Sequence, residues 1–357
     1  MPLTPSGRRP SGKASEVMAI LEQRIRGGDY LVAPLPSGRE LAAELGVSYV
    51  TARKAIGALQ AQGLLTRGGN GRLVLGGRRA GGQLAQLAFI APNFPSLAVM
   101  RWRLAIDRLA DEHPCAVKNH FFRHWHDPAL IDIIERSDGA FLYPTAEELP
   151  AAFAARLRAR RIVVIDQDWS ALGVPSICCF PAAFVRTLLD HCRARAHLRI
   201  ACLNTQPHDY AIQARLAAYQ GWAVDHGMVP HLIDAPVIVG EDPAVRAQAV
   251  MAEVLRGGAR DWSALFCTTG TVALAAMRAL HLAGIAPGRE VAVCTLNDDG
   301  LGELVIPSLT AQAQVDPTPF LRQTLSWILD PQRAWQGSAL IQPERCEVAV
   351  RESTGAG

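Results

Sequence analysis

Gly46 is followed within eight residues by Ser48, Tyr49, Thr51, Arg53 and Lys54. Hydroxyls and cations at this density suit a polyanion. The hydroxyls donate to phosphate oxygens, and a guanidinium binds phosphate or reads a guanine edge. Arg67, Asn70 and Arg72 then flank the glycines of "TRGGNGR". A second set stands at the ends of apolar runs: Asn93, Asp166, Asp209, Thr269 and Asn297, with Arg215 shortly after Asp209 and Trp102 supplying a flat ring. Carboxylates, amides, one arginine and aromatic faces suit a polyhydroxylated small molecule. The competing reading of that set is that its Asp and Asn residues only cap helices.

Catalytic motifs are missing from the chain. It has no Gly-x-x-x-x-Gly-Lys-Ser/Thr loop, no Gly-x-Ser-x-Gly elbow and no His-Glu-x-x-His. Neither catalysis nor a cofactor is expected. His120, His124 and His126 crowd "HFFRHWHD", where His124 and His126 would share a strand face. No cysteine pattern accompanies them, so a metal is not expected there. The eight cysteines are scattered without a Cys-x-x-Cys pair and read as buried free thiols.

The first set needs helices to present it. "SEVMAILEQRIRGG" repeats Val17, Ile20, Leu21 and Ile25 at a helical period and stops at Gly27–Gly28. A turn at Pro34–Pro36 leads to a second helix, with Ser37 as N-cap and Glu40 completing a capping box. Leu41, Ala42 and Leu45 face inward. Gly46 permits a left-handed turn. Ser48 caps a third helix reaching roughly Gln62, with Ala52, Ala55, Ile56 and Leu59 inward. "GLLTRGGNGRLVL" reads as a hairpin with its tip at Gly68–Gly71. This is a helix-turn-helix with a basic wing. Residues 1–80 hold twelve Lys and Arg against five Asp and Glu, +7 in a chain of net +3, which leaves −4 for the remainder. Only the small part is built to meet a polyanion. A helical packing unit with a solvated basic face is the alternative.

These residues resemble the GntR family of winged-helix regulators through "LPSGRELAAELGVSYVTARKAIGALQAQGLL" and the glycine-rich wing. The resemblance implies that Arg39 holds a phosphate and that Ser48, Thr51 and Arg53 sit on DNA backbone and base edges. Tyr49 stands where the family usually has arginine, so bidentate guanine reading is lost at that position.

Beyond "GGRRAGGQ" (76–83), a glycine-rich linker, strand-like and helix-like segments alternate from "LAQLAFIAP" through "PVIVG" to a last helix near Pro317–Leu329. Such alternation predicts a parallel α/β architecture, and more than ten strand candidates predict two lobes. In open α/β sheets ligands sit beyond the strands' carboxyl ends. Those ends carry Pro92–Asn93, Asp166–Gln167–Asp168, Asn204 to Asp209, Thr268–Thr269 and Asn297–Asp298–Asp299, with Trp102, Trp125 and Trp169 as candidate walls.

Residues 85 to about 350 resemble the LacI/GalR regulators, through "SDGAFLYP", "ARLAAYQGW", "DWSALFCTTGTVALAAMRALHLAGIAPGREVAVCTLNDD" and "IPSLTAQAQ". Their effector domain has the two-lobed periplasmic-binding-protein fold. By that resemblance Asp166 and Arg215 hold sugar hydroxyls. Thr269–Gly270 and Asn297 replace an Asn-Asp pair and a carboxylate of that family.

The expected protein is α/β: an N-terminal winged helix-turn-helix plus a two-lobed periplasmic-binding-protein-like effector domain. Expected bounds are a disordered arm (1–14), the DNA-binding domain (15–75), a linker (76–84) and the ligand-binding domain (85–351). Lobe 1 would span about 85–180 and 315–330, lobe 2 about 181–312 and 331–351. The expected function is a ligand-responsive repressor, with a sugar-like effector between the lobes. A non-sugar effector, or none, is the alternative; an architectural DNA-binding protein would not need the large acidic module. The partners are double-stranded operator DNA, the small-molecule effector and a second copy in a homodimer, because one winged helix makes few contacts. With no apolar run behind the basic N-terminus and no apolar stretch of ~18 residues, neither a signal peptide nor a membrane partner is expected, and the location is cytoplasmic.

Overall fold

A computed structural model describes residues 12–31, 33–69, 71–76, 84–94, 96–113, 115–238, 241–258 and 260–355. Most of the expected arm (1–11), the wing-tip Asn70 and linker residues 77–83 lie outside the described residues. The chain divides into two compact units. One runs to Pro144 and takes in Leu149–Val163 and Thr318–Gly337; the other comprises Thr145–Glu148, Val164–Pro317 and Ser338 onward.

The first unit begins with three helices. α1 (Lys13–Arg26) buries Ala14, Val17, Leu21 and Ile25. Ile20, expected inward, is exposed, because the 3.6-residue period sets the stripe on 14, 17, 21 and 25. α2 (Gly38–Glu44) opens with the expected reciprocal capping box: Glu40 N–H donates to Ser37 Oγ at 3.3 Å and Ser37 N–H to Glu40 Oε2 at 2.7 Å. Gly46 then stands at φ +61, a conformation a side chain would oppose. α3 (Tyr49–Ala61) follows, capped by Ser48. Ala52, Ala55, Ile56 and Leu59 are buried against Leu21, Ile25 and Leu41. Each large aliphatic side chain contributes about 1.5–3 kcal/mol by leaving water. The hairpin β1 (Leu65–Arg67) and β2 (Leu73–Leu75) pairs antiparallel with Arg67 opposite Leu73.

Alternation then sets in: β3 (Ala85–Pro92), α4 (Leu97–Asp111), β4 (Cys115–Phe122), α5 (Pro128–Arg136), β5 (Gly139–Leu142), α6 (Ala151–Arg158), β6 (Ile162–Ile165) and β7 (Ser176–Ile177). The rest is α7 (Phe184–Ala194), β8 (Ile200–Asn204), α8 (Tyr210–Asp225), β9 (His231–Asp234), α9 (Pro243–Arg256), β10 (Ala264–Cys267), α10 (Gly270–Leu282), β11 (Ala292–Thr295), β12 (Thr310–Gln312), α11 (Thr318–Leu329), β13 (Leu340–Ile341) and β14 (Val348–Ala349). The strands form two six-stranded sheets, ordered β13-β7-β6-β5-β3-β4 and β14-β12-β11-β10-β8-β9. In the second sheet every pairing is parallel except β12 with β14. Buried parallel strands explain why "IVVI" and "ALFC" read as unbroken apolar runs.

Four expectations need correction. The strand expected at "PVIVG" is β9, one segment earlier. The ladder pairs His231 to Asp234 with Ala201 to Asn204 of β8, and beyond it Ala235 and Val237 N–H still donate to Asn204 O and Thr205 O at 2.9 and 3.1 Å. His124 and His126 lie in the turn after β4, not on one strand face. Residues 331–351 are divided between sheets: β13 pairs with β7 in the first and β14 with β12 in the second. Trp125 is a core residue, tilted between Phe122 and Phe153 at 5.1 Å from each.

Within the first unit the DNA-binding segment leans on β4. Leu84 and Ala116 belong to the same apolar cluster as Val17, Leu21 and Ile25. Lys118 Nζ meets Asp29 Oδ1 at 3.0 Å. Gly28, at φ +66, lies so close that a Cβ there would be 2.8 Å from the Lys118 nitrogen. A sheet edge is thereby covered by a helix and its turn. No helix among the described residues is long and apolar enough to cross a membrane.

Candidate functional site

On the DNA-binding segment, Tyr49, Val50, Arg53 and Lys54 are exposed in the first half of α3, with Thr51 half-buried. Tyr49 is 50% exposed and its ring edge lies near Gly38, where a Cβ would approach it to 3.3 Å. Arg39 is exposed on α2. Ser48 and Thr51 are already engaged locally: Thr51 N–H donates to Ser48 Oγ at 3.1 Å, and the two hydroxyl oxygens are 2.8 Å apart. Each hydroxyl keeps capacity for one further contact. Arg67 donates from Nη1 to Gly71 O at 2.9 Å, which fastens the wing tip. Arg72 is exposed and its charge lowers the Glu40 carboxyl slightly, after the larger effect of that carboxylate's bonds to Ser37.

In the second unit the strand-end residues form two hydrogen-bonded groups, one around Asp209 and one running from Arg215 through Thr268 and Asn204 to Asp234. Asp166 follows β6 with φ +68, uncommon for a residue bearing a side chain, and is 8% exposed. Asp209 caps α8, accepting from Ile212 N–H at 2.7 Å through Oδ1 and from Gln167 Nε2 at 3.1 Å through Oδ2. Burial raises the Asp209 carboxyl above its ordinary value and nearby Asp166 adds to the rise, against the Ile212 N–H and Arg215. Arg215, 5% exposed, donates from Nη1 to Thr268 O at 2.8 Å. Thr268 Oγ1 donates to Asn204 Oδ1 at 2.8 Å, and Asn204 Nδ2 donates to Asp234 Oδ1 at 2.8 Å. Thr269 caps α10 and accepts from Gln206 Nε2 at 3.1 Å. The Asn297 loop closes against this end: a Cβ on Gly270 would lie 2.8 Å from Asn297 O.

Two of these residues are largely self-satisfied. Asn297 donates from Nδ2 to Asp299 Oδ1 and accepts from Asp299 N–H, both at 2.9 Å. Thr269 does what helix-capping threonines do. Asp209 and Arg215 instead reach groups on other segments, Gln167 Nε2 and Thr268 O. In the other unit, Asn93 is exposed just after β3, and Trp102 lies on the buried stripe of α4 with Val99, Ile106 and Leu109. Trp169 is buried with its ring 5.6 Å from Tyr210. The sequence places Gln167 at a strand end without a role; it is the direct partner of Asp209. Sequence reasoning passed over Arg351, whose Nη1 holds the buried Asp298 at 3.1 Å. No group of His, Cys, Asp and Glu among the described residues has metal-binding geometry.

Residues 13–74 match the model of the bacterial regulatory proteins, gntR family, and residues 189–354 match that of the periplasmic binding protein-like domain. No curated protein matches the chain. Among solved structures, a LacI-family regulator from Sanguibacter keddieii is similar at TM-score 0.60 and 22% identity, over 77% of this chain and 100% of that one. The Lac repressor dimer bound to operator and an anti-inducer is similar at TM-score 0.66 and 18% identity, over 97% of this chain and 100% of that one. A sugar-binding LacI-family regulator from Escherichia coli, complexed with phosphate, aligns at TM-score 0.60 and 17% identity, over 76% and 99%. At these identities the structures speak for fold. The chain therefore joins a gntR-family DNA-binding domain to a periplasmic-binding-protein-like domain with the LacI-type fold, the architecture of a ligand-responsive transcriptional regulator and not of an enzyme.

Proposed function

We propose that this regulator is a cytoplasmic repressor that binds a two-fold-related operator as a homodimer and changes its DNA affinity when a sugar or sugar derivative binds. The observation that carries the reading is a division of polar groups by burial. Arg39, Tyr49, Arg53 and Lys54 are exposed on the DNA-binding segment, while Asp166 and Arg215 are buried and Asp209 is half-buried in the second unit. Arg39 takes a phosphate, Arg53 and Lys54 take phosphate or base edges, and Ser48, Thr51, Arg67, Asn70 and Arg72 complete the DNA contacts. Asn93, Trp102, Thr269 and Asn297 complete the effector set. The domain bounds are 15–75 for DNA binding, 76–84 for the linker and 85–351 for ligand binding.

A second copy is supported by an apolar stripe on α4. Leu97, Met100 and Leu104, spaced three and four residues apart, are 49, 46 and 43% exposed, and Phe94 beside them is 52% exposed. A dimer doubles the contacts of a single winged helix. Ligand binding reaches the DNA only through its differential affinity for two arrangements of the dimer. The linker and the Gly28–Lys118 contact are the routes available for that signal.

A non-sugar effector, or none, is the second reading, favoured by the mutual pairing of Asn297 and Asp299. The test selects genomic fragments with the full-length protein and then titrates the best fragment by fluorescence anisotropy. D-glucose, D-galactose, D-ribose, L-arabinose, D-xylose and D-glucuronate are added in turn. A sugar that lowers or raises DNA affinity about tenfold, 1.4 kcal/mol, supports the reading. A salt-sensitive complex that ignores all six sinks the sugar while leaving the DNA-binding role intact.

A further inference from the structure

Gln167 follows Asp166 at the carboxyl end of β6 and is 1% exposed. Its amide is engaged on one side. Nε2 donates to Asp209 Oδ2 at 3.1 Å, whereas Oε1 is buried and accepts no hydrogen bond among the described residues. The opposite amide orientation would set two oxygens against each other, so the carboxylate fixes which face of the amide is left over. A buried acceptor without a donor is a standing cost to folding. Such costs gather, with backbone strain, where a site is shaped for a ligand. Both occur here in consecutive residues, the left-handed Asp166 and the one-sided Gln167.

The neighbours narrow the chemistry. Arg215 Nη1 is engaged by Thr268 O at 2.8 Å, and among the described residues of this cluster the acceptor left over is the Gln167 amide oxygen alone. An amide oxygen accepts and never donates. At that atom a phosphate, carboxylate or carbonyl oxygen would meet another lone pair, whereas a hydroxyl would supply the missing donor.

We infer that Gln167 is a specificity-determining residue of the effector site, whose Oε1 receives the proton of one hydroxyl of an uncharged polyol while Nε2, held by Asp209, sets the amide's orientation. The inference rests on the sugar reading above and adds to it the residue, the atom and the exclusion of anionic groups there.

The test is a cycle between residue and ligand. Full-length wild type and Gln167→Met are titrated calorimetrically with each of the six sugars. For any sugar that binds, its monodeoxy analogues are titrated one position at a time. The expected result is that one deoxy position weakens wild-type binding about tenfold, a typical hydrogen bond. That same position makes no further difference in Gln167→Met, while the other positions act equally on both proteins. Uniform loss at every position in Gln167→Met would make Gln167 a support for Asp209 and overturn the inference. So would a sugar that binds Gln167→Met as tightly as wild type. Silence of wild type toward all six sugars overturns the sugar reading and this inference together, which separates that failure from the other two.

Discussion

Two arginines from each part of this chain live in opposite surroundings. On the DNA-binding segment Arg39 and Arg53 are exposed. In the effector domain Arg215 is 5% exposed and bound to a backbone carbonyl. Arg351 has a side chain 12% exposed that reaches Asp298, Leu309 O and Glu303. The same guanidinium does different work in the two settings. Where it is exposed, its charge stays available to a polyanion and is screened by salt. Where it is buried, all of its donors are needed to offset the desolvation of the charge, and it becomes part of the fold. The DNA-binding face gains affinity from groups that contribute little to folding, whereas a buried guanidinium of the effector domain first holds the fold and meets a ligand only with the donors that remain.

Substitutions can break this contrast, the largest effect coming from Arg351→Ala. It takes the counter-charge from Asp298, 1% exposed, leaving that carboxylate, among the described residues, only the Gly300 N–H and Gln314 Nε2, and removing one partner of a buried pair costs about 3–5 kcal/mol. Urea unfolding measures this; a loss below about 1 kcal/mol would place Arg351 with the exposed arginines. Arg215→Ala leaves Thr268 O without its donor and is expected to cost about 1.5–3 kcal/mol. It should abolish any effector response while DNA affinity without effector stays at wild type; a surviving response would remove Arg215 from the effector site. Arg53→Ala should behave in the reverse sense. Folding stability moves by less than about 0.5 kcal/mol, operator binding weakens by ~1–3 kcal/mol, and the salt slope of binding falls by about one if the contact is to phosphate. Unchanged anisotropy titrations at two salt concentrations would remove it from the interface.

The capping box of Ser37 and Glu40, the Gly46 turn, the Ser48 cap and the inward face of α3 were legible in the sequence, because each is a local rule with a fixed spacing. So was the pair of sheets, since buried parallel strands leave unbroken apolar runs. "PVIVG" misled because it is more apolar than "HLID"; the pairing with β8, which decides the matter, is non-local. The candidate site was legible as a set of positions and not as a set of roles. Asp209 and Thr269 both read as polar strand-end residues. Only the three-dimensional arrangement tells that Thr269 caps a helix while Asp209 also meets Gln167 and lies within the influence of Arg215. Gln167 was invisible as a special residue because its burial and its one-sided amide arise from chain segments distant in sequence.

Asp209 gives the smallest and most diagnostic effect. Its carboxyl is raised, chiefly by burial, so the folded protein holds that proton more firmly than the unfolded chain does. A raised carboxyl favours folding in acid, and that advantage is lost as the pH climbs from the ordinary aspartate range, about 3.9, through the raised value. Asp209→Asn removes the charge but keeps an oxygen to cap α8, a role in which Asn and Asp are near equals; its Nδ2 takes the place of Oδ2 and can donate to Gln167 Oε1 once that amide turns over. The variant is therefore expected to melt at or slightly above the wild-type temperature at neutral pH, with the difference vanishing toward pH 4. An exposed capping aspartate would give the opposite sign, since its charge favours a helix N-terminus. If Asp209→Asn melts below wild type at neutral pH and the gap closes in acid, the carboxylate is solvated, and Asp209 belongs with the surface groups of the DNA-binding face and not with the buried cluster around Arg215.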